Sequence, residues 1–293
     1  MANLSARLAD NVPGEFFVDA SCIDCDTCRR VTPSVFEQGD GHSFVGAQPR
    51  SAEERRRAFM ALVACPTSSI GTSPKTDASE GARAFPEPIH DNVSFCGFTS
   101  ESSFGAWSYL IERAGHSAGN VLVDSPRAAG PLLSALEARG GVSTMFLTHR
   151  DDVADHAAFR KRFGCERVLH EDDVTASTRD VERRIVGIEP VQLAEDLVAI
   201  PTPGHTRGHA VLLYRERDLF SGDHLAWSRR RGHLVAFRDA NWYSWPETIR
   251  SMERLLDYSF EWVLPGHGER YRAESPGAMR RELERCIAWM KER

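Results

Sequence analysis

Two groups of side chains in this 293-residue chain have the types and spacings of metal ligands. The first is Cys22, Cys25 and Cys28, followed much later by Cys65 beside Pro66. Thiolates at C-x2-C-x2-C turn successive sulfurs towards one point, and a remote Cys-Pro can add a fourth. That arrangement suits an iron–sulfur cluster and one-electron chemistry. A zinc knuckle is the alternative, although zinc ribbons more often pair two matched C-x2-C units. The second group is the run Thr148-His149-Arg150-Asp151-Asp152-Val153-Ala154-Asp155-His156, then His205 in TPGHT, Asp223 in SGD and His267 in PGHG. Two divalent ions held close together need neutral imidazoles to bind them and a carboxylate to bridge and partly neutralise them.

These residues need elements to position them. The stretch SPKTDASEGARAFPEP is rich in Ser, Pro, Ala and charge and lacks periodicity, so it divides the chain into residues 1–75, a linker at 76–88 and residues 89–293. Before it, EFFVDAS and HSFVGAQ read as strands, PSVFE as a short helical turn and AEERRRAFMALVAC as a helix. After it, VSFCGF, SYLIER, NVLVDS, VSTMFLTH, ERVLH, LVAIPTPGH, AVLLYRERDLFSGDH and FEWVLPGH read as strands. Helices are expected at AAGPLLSALEARGG, DHAAFRKRFG and PETIRSMERLLDY. The final helix, AMRRELERCIAWMKER, carries Met279, Leu283, Cys286, Ile287 and Met290 on one stripe. The His/Asp motifs thus fall at strand ends, on loops held by a rigid sheet.

Composition narrows the function. Hydrophobic residues at 41% and charged residues at 27% describe an ordinary folded chain. A net charge of −6 speaks against a nucleic-acid partner. No segment has the apolar length of a membrane span or the layout of a signal peptide, so no membrane partner and a cytoplasmic location are expected. Seven cysteines, an odd number with four in a ligand pattern, fit metal binding in a reducing compartment better than disulfides. Cys96, Cys165 and Cys286 are expected to be small buried hydrophobes. His42, His90, His116, His170, His224 and His233 have no ligand context and default to solvent or core roles.

The cysteine pattern resembles the single-cluster bacterial ferredoxins, over about residues 14–72. The resemblance implies that Cys22, Cys25, Cys28 and Cys65 bind one [4Fe–4S] cluster. The His/Asp motifs resemble the metallo-β-lactamase superfamily over about residues 89–270, with Asp124 in LVDSP matching its early-strand aspartate. The implied fold class is α+β, a ferredoxin-like domain followed by an αββα sandwich. Carried over, the resemblance puts His149 and His205 on a first metal, and Asp155, His156 and His267 on a second. Asp223 would bridge the two, and Asp155 would also be catalytic. His209 is expected to support ligands and not to be one.

The chain departs from the family's H-x-H-x-D-H pattern: a carboxylate replaces the second histidine, and two extra residues precede Asp155-His156. Asp151 keeps the His-x-ligand register. Asp152, three and four residues before Asp155 and His156, is a ligand candidate or a helix N-cap. Oxygen donors shift preference from zinc towards iron or manganese. The flavodiiron proteins, similar in fold, carry a carboxylate there and bind two irons.

The expected function is an oxidoreductase acting on a small-molecule substrate and served by a redox partner protein, in which the cluster feeds a dinuclear centre of two divalent ions, iron in preference to zinc. The alternative is a dinuclear zinc hydrolase of thioesters, lactones or phosphoesters, with a structural or sensing cluster; PTPGHTRGH resembles glyoxalase II. A third reading is an electron carrier whose second domain only binds a partner. Trp227, Trp242, Tyr243 and Trp245 either line a pocket or pack the sandwich edge, and Arg229, Arg230 and Arg231 either hold an anion or form a solvated run.

Overall fold

A computed structural model of the chain describes residues 2–113, 115 and 119–292. His116 lies outside the described residues. Two stacked sheets with helices on their outer faces form the larger part. In the first sheet, Glu87–His90, Val93–Phe95, Tyr109–Ile111 and Val121–Val123 are antiparallel neighbours in chain order. Thr144–Phe146, Glu166–His170 and Arg183–Ile185 extend it in parallel from Val121–Val123. Parallel neighbours need long crossovers, and the helices Gly130–Ala138 and His156–Phe163 supply the first two.

In the second sheet, Val191–Ala194, Leu197–Pro201, Ala210–Tyr214 and Asp218–Gly222 are antiparallel neighbours. Asp218–Gly222 then pairs in parallel with Trp262–Pro265, and Tyr271–Arg272 closes the edge. The segment AVLLYRERDLFSGDH, expected as strand, is a hairpin. Arg215 and Glu216, in the three-residue loop between the paired Tyr214 and Asp218, both have left-handed φ (53° and 49°).

Alternation along these strands divides the core. Ala210, Leu212 and Tyr214 join the cluster between the sheets, whereas Val211 and Leu213 face the helices Trp245–Arg254 and Pro276–Lys291. The stripe Met279, Leu283, Cys286, Ile287 and Met290 is buried in that outer cluster. Cys96, Cys165 and Cys286 are all buried. No described helix is long and apolar enough to cross a membrane.

The smaller part pairs Phe16–Val18 with Ile70–Thr72 and Phe36–Gln38 with Ser43–Val45, against the helices Thr27–Val31 and Ala52–Ala64. Within PSVFE, Phe36 begins a strand and not a helical turn, because its ladder with Ser43–Val45 outcompetes a local helix that has no further residues to propagate into. The stretch 76–88 corrects the linker expectation. It holds a short helix, Ser79–Arg83, a buried Phe85, and the start of the edge strand Glu87–His90. Composition suggested a loose connection, but Phe85 packs edge-on against Phe95 and Phe98, and Arg57 pairs with Glu87 at 2.7 Å. Buried residues of both parts belong to one hydrophobic cluster.

Candidate active site

The cysteines are delivered by tight local structure. Asp24 and Asp26, between successive cysteines, both adopt left-handed φ (57° and 60°), a conformation that aspartate tolerates better than most residues. Cys65 is the C-cap of the helix Ala52–Ala64, whose start is fixed by a reciprocal Ser51–Glu54 capping box. Backbone N–H groups of Ser43 and Ser69 donate to the sulfurs of Cys22 and Cys65, each at 3.3 Å. Burial pushes the Cys25 thiol up to about 11 and that of Cys28 higher still. Four thiols free of disulfides, two with N–H donors aimed at sulfur, fit an iron–sulfur group, which would hold them as thiolates.

The second group gathers at the strand ends shared by the two sheets. Ligand atoms of His149, Asp151 and His205 lie within 4.8 Å of one another, as do those of His149, Asp152 and Asp223. His267 Nδ1 is 2.8 Å from Asp223 Oδ1. His149 Nε2, both oxygens of Asp152 and both ring nitrogens of His205 are buried without a hydrogen-bond partner. Orphaned acceptors on this scale are costly unless a cation satisfies them. Burial first, then Asp223 and Asp124 nearby, pushes the Asp152 carboxyl well above the usual range. Burial would raise Asp223 too, but His267, His149 and His205 outweigh it and keep its carboxylate charged. Converging carboxylates, imidazole lone pairs and unpaired oxygens fit divalent metal ions.

Residues behind this set orient it. Asp124, itself at a left-handed φ of 57°, accepts from Thr148 N at 2.7 Å and from Thr148 Oγ1 at 3.0 Å. Thr148 Oγ1 lies 3.0 Å from His149 Nδ1, which assigns the imidazole proton to Nδ1 and the lone pair to Nε2, towards the carboxylates. His209 is buried and accepts from Asp223 N at 3.3 Å, with Thr202 Oγ1 2.9 Å from its other nitrogen. It therefore positions the Asp223 backbone. Sequence reasoning missed Asp173: its carboxylate accepts from Arg150 N at 3.0 Å, Thr206 Oγ1 at 2.5 Å and Gly208 N at 2.8 Å. It ties the loops of His149 and His205 together. Nothing in the local pattern EDDV singles it out. Gly266 permits the close packing, since a Cβ there would lie 2.8 Å from Asp152 Oδ2.

Two expected ligands lie elsewhere. Asp155 is exposed and its Oδ2 accepts from Ala128 N at 2.8 Å. His156 is buried against Arg167, Nδ1 to Nη1 2.9 Å. The two extra residues explain this. Ala154 takes a left-handed φ of 23°, and the chain has already turned into the helix His156–Phe163 when Asp155 and His156 arrive. Asp155 therefore stands apart from the gathered ligand atoms. Asp152 is among them instead, and its side chain caps no helix.

One cavity of about 730 Å³ joins the two groups. Asp151, Asp152, His205, Asp223 and His267 line it from one side, and Asp24, Cys25, Asp26 and Arg29 from the other. Gly105 closes the gap: with φ +82°, it would place a Cβ 2.7 Å from that of Cys25. Its neighbour Phe104 offers its carbonyl to His267 Nε2 at 3.3 Å, and Thr27 Oγ1 donates to Gly105 O at 3.2 Å. Trp242, Phe104 and Phe237 supply apolar wall. Of the other aromatics in that stretch, Trp227 stacks on Tyr271 and Trp245 packs in the outer cluster, while Tyr243, like Trp242, is exposed.

Residues 18–72 match the family described as the 4Fe-4S single cluster domain of Ferredoxin I. A hydroxyacylglutathione hydrolase of Fuscovulum blasticum is 36% identical over 129 residues, 41% of this chain and 48% of that protein. The chain thus matches about half the length of that curated relative. Among solved structures, the BLEG-1 B3 metallo-β-lactamase aligns at 18% identity with a TM-score of 0.50, covering 64% of this chain and 95% of that one. The DIM-1 metallo-β-lactamase aligns at 13% with a TM-score of 0.51, covering 68% and 96%. The large part has the metallo-β-lactamase fold, preceded by a single-cluster ferredoxin-type domain.

Proposed function

We propose that this protein is an iron–sulfur-linked metallo-oxidoreductase. In this reading Cys22, Cys25, Cys28 and Cys65 would hold a cluster that supplies electrons to a dinuclear site, where a small-molecule substrate would be reduced. The observation that carries the reading is the shared cavity, with Cys25 on one wall and His267, Asp223, Asp152 and Asp151 on the other. Between them stand one residue, Gly105, and one carbonyl, that of Phe104. A hydrolase has no need of that proximity.

His149, His205 and Asp151 would hold one ion, Asp152 and His267 the other, with Asp223 between them. When bound, the ions would polarise a substrate oxygen, lower the pKa of a coordinated water and, if iron, accept electrons. The chain's own residues do the rest. Asp124 and Thr148 fix the His149 tautomer, Asp173 holds two ligand loops in register, and Trp242, Phe104 and Phe237 give the cavity apolar lining. Three carboxylates among the ligands support iron over zinc.

The test is anaerobic purification, metal counting and a search for substrate-dependent reoxidation of the reduced cluster, with O2, NO and organic acceptors offered in turn. We expect reoxidation in the wild type and its loss in Asp223→Asn. Full turnover with two zincs and the cluster removed would overturn the reading. That outcome would favour the second one, a zinc hydrolase, which the hydroxyacylglutathione hydrolase similarity supports.

A further inference from the structure

Beside the metal cavity lies a smaller one of about 150 Å³, lined by Arg30, Trp107, Arg229, Gly268, Glu269 and Arg270. Three guanidinium groups meet one carboxylate there, and that carboxylate is taken: Arg229 Nε pairs with Glu269 Oε1 at 3.1 Å. The Arg30 side chain is 7% exposed; its Nη1 donates to Gly268 O at 2.8 Å, and its Nε lies 2.6 Å from Asp26 Oδ1. Its Nη2 is buried with no hydrogen-bond partner, and so is Nε1 of Trp107. Arg270 makes no hydrogen bond or ion pair among the described residues. The guanidinium carbons of Arg30 and Arg270 sit 4.4 Å and 5.0 Å from the Trp107 ring centre. Phe95 stacks on that ring at 3.8 Å, which leaves the two cations the side it does not cover.

Arg30 is paired with Asp26, but Arg270 has no carboxylate at ion-pair distance among the described residues, and two buried donor N–H groups of residues lining the same small cavity lack acceptors, an arrangement that costs free energy until an acceptor fills it. Planar guanidinium forks are suited to oxygen anions, and an indole N–H adds a directional donor. We propose that this cavity binds one oxyanion group of phosphate, sulfate or carboxylate size, held by Arg30, Arg270 and Trp107. Arg30 comes from the helix that carries Cys28, while Trp107 and Arg270 come from the sandwich, so the bound anion ties the cysteine domain to the metal domain. Gly268 lines both this cavity and the metal cavity. The anion is therefore a free ion or the end of an organic anion whose body lies in the larger space.

Calorimetric titration of the purified holoprotein with inorganic phosphate, at constant ionic strength, tests the site. We expect saturable one-to-one binding in the wild type, in Asp223→Asn and in Arg280→Met, a remote control. Arg270→Met should weaken it about tenfold or more, and Trp107→Phe, which keeps a ring but removes the N–H, by about threefold. Circular dichroism checks that each variant is folded. No saturable binding in the wild type, wild-type binding in Arg270→Met, or binding lost only in Asp223→Asn would overturn the proposal. Phenyl phosphate separates the sources. Tighter binding than phosphate assigns the site to a substrate's anionic end, weaker binding to a free ion, and both support the site.

Discussion

At the scale of single residues, chemistry was legible where it is local. The cysteine spacing, His149, Asp151, His205, Asp223 and His267 stood out by type and motif, and the structure gathers the His/Asp members of that set, with Asp151, His205, Asp223 and His267 lining one cavity and His149 buried behind them. What spacing could not show is where the chain turns. Asp155 and His156 carry the family's dipeptide, but the left-handed turn at Ala154 sends one to the surface and the other to Arg167. Asp173 was invisible because its partners, Thr206 and Gly208, are distant in sequence. The correction has a direct consequence. Asp152→Asn should lower bound metal from two ions towards one and abolish turnover, whereas Asp155→Asn should keep both ions and near-normal rates. Metal analysis and activity of the two variants decide it; the reverse order would restore the family register.

At the scale of elements, alternation and helical stripes were legible because burial on one face leaves a period in the sequence. The stretch 76–88 was not, since its packing depends on Phe85 meeting Phe95 and Phe98 and leaves no period. The pairing of Glu166–His170 with Arg183–Ile185 illustrates a long-range contribution that composition hides. Arg167, 2% exposed, is held by Glu182 just before the edge strand, with Nη2 to Oε1 at 2.9 Å. Burial would raise the Glu182 carboxyl, but the Arg167 hydrogen bonds outweigh it and hold it down at about 2, against an ordinary 4.5. A carboxyl lowered on folding stabilises fully above its unfolded pKa, and that contribution is lost as pH falls from about 4.5 through about 2. Glu182 is an exposed residue, so solvent screening cuts the contribution to on the order of 1 kcal/mol, and urea unfolding should show the wild type losing about that much more than Glu182→Gln across this window. Parallel acid limbs would show that the pair contributes nothing.

At the scale of the whole molecule, the two parts are not beads on a string. Thr99 Oγ1 donates to Ala64 O at 2.7 Å, Arg127 Nη2 to Val63 O at 2.9 Å, and Arg30 Nη1 to Gly268 O at 2.8 Å. Val31, Phe59 and Ala64 share a core with Phe85, Phe95 and Phe98. Removing residues 2–75 would strip buried apolar surface and leave Thr99 Oγ1 and Arg127 Nη2 without their acceptors. We expect the remaining fragment to melt well below the intact protein or to aggregate, measured by thermal unfolding; an unchanged melting temperature and full metal content would show that the sandwich is self-sufficient.

The joined cavity makes the central claim measurable. In anaerobically purified protein reduced with dithionite, the cluster's EPR signal should relax faster and broaden when the His/Asp site holds paramagnetic iron. It should sharpen in Asp223→Asn, which retains the cysteines but binds less metal. A sharp cluster signal in the loaded wild type, identical to that of Asp223→Asn, with stoichiometric zinc in the second site, would contradict the account.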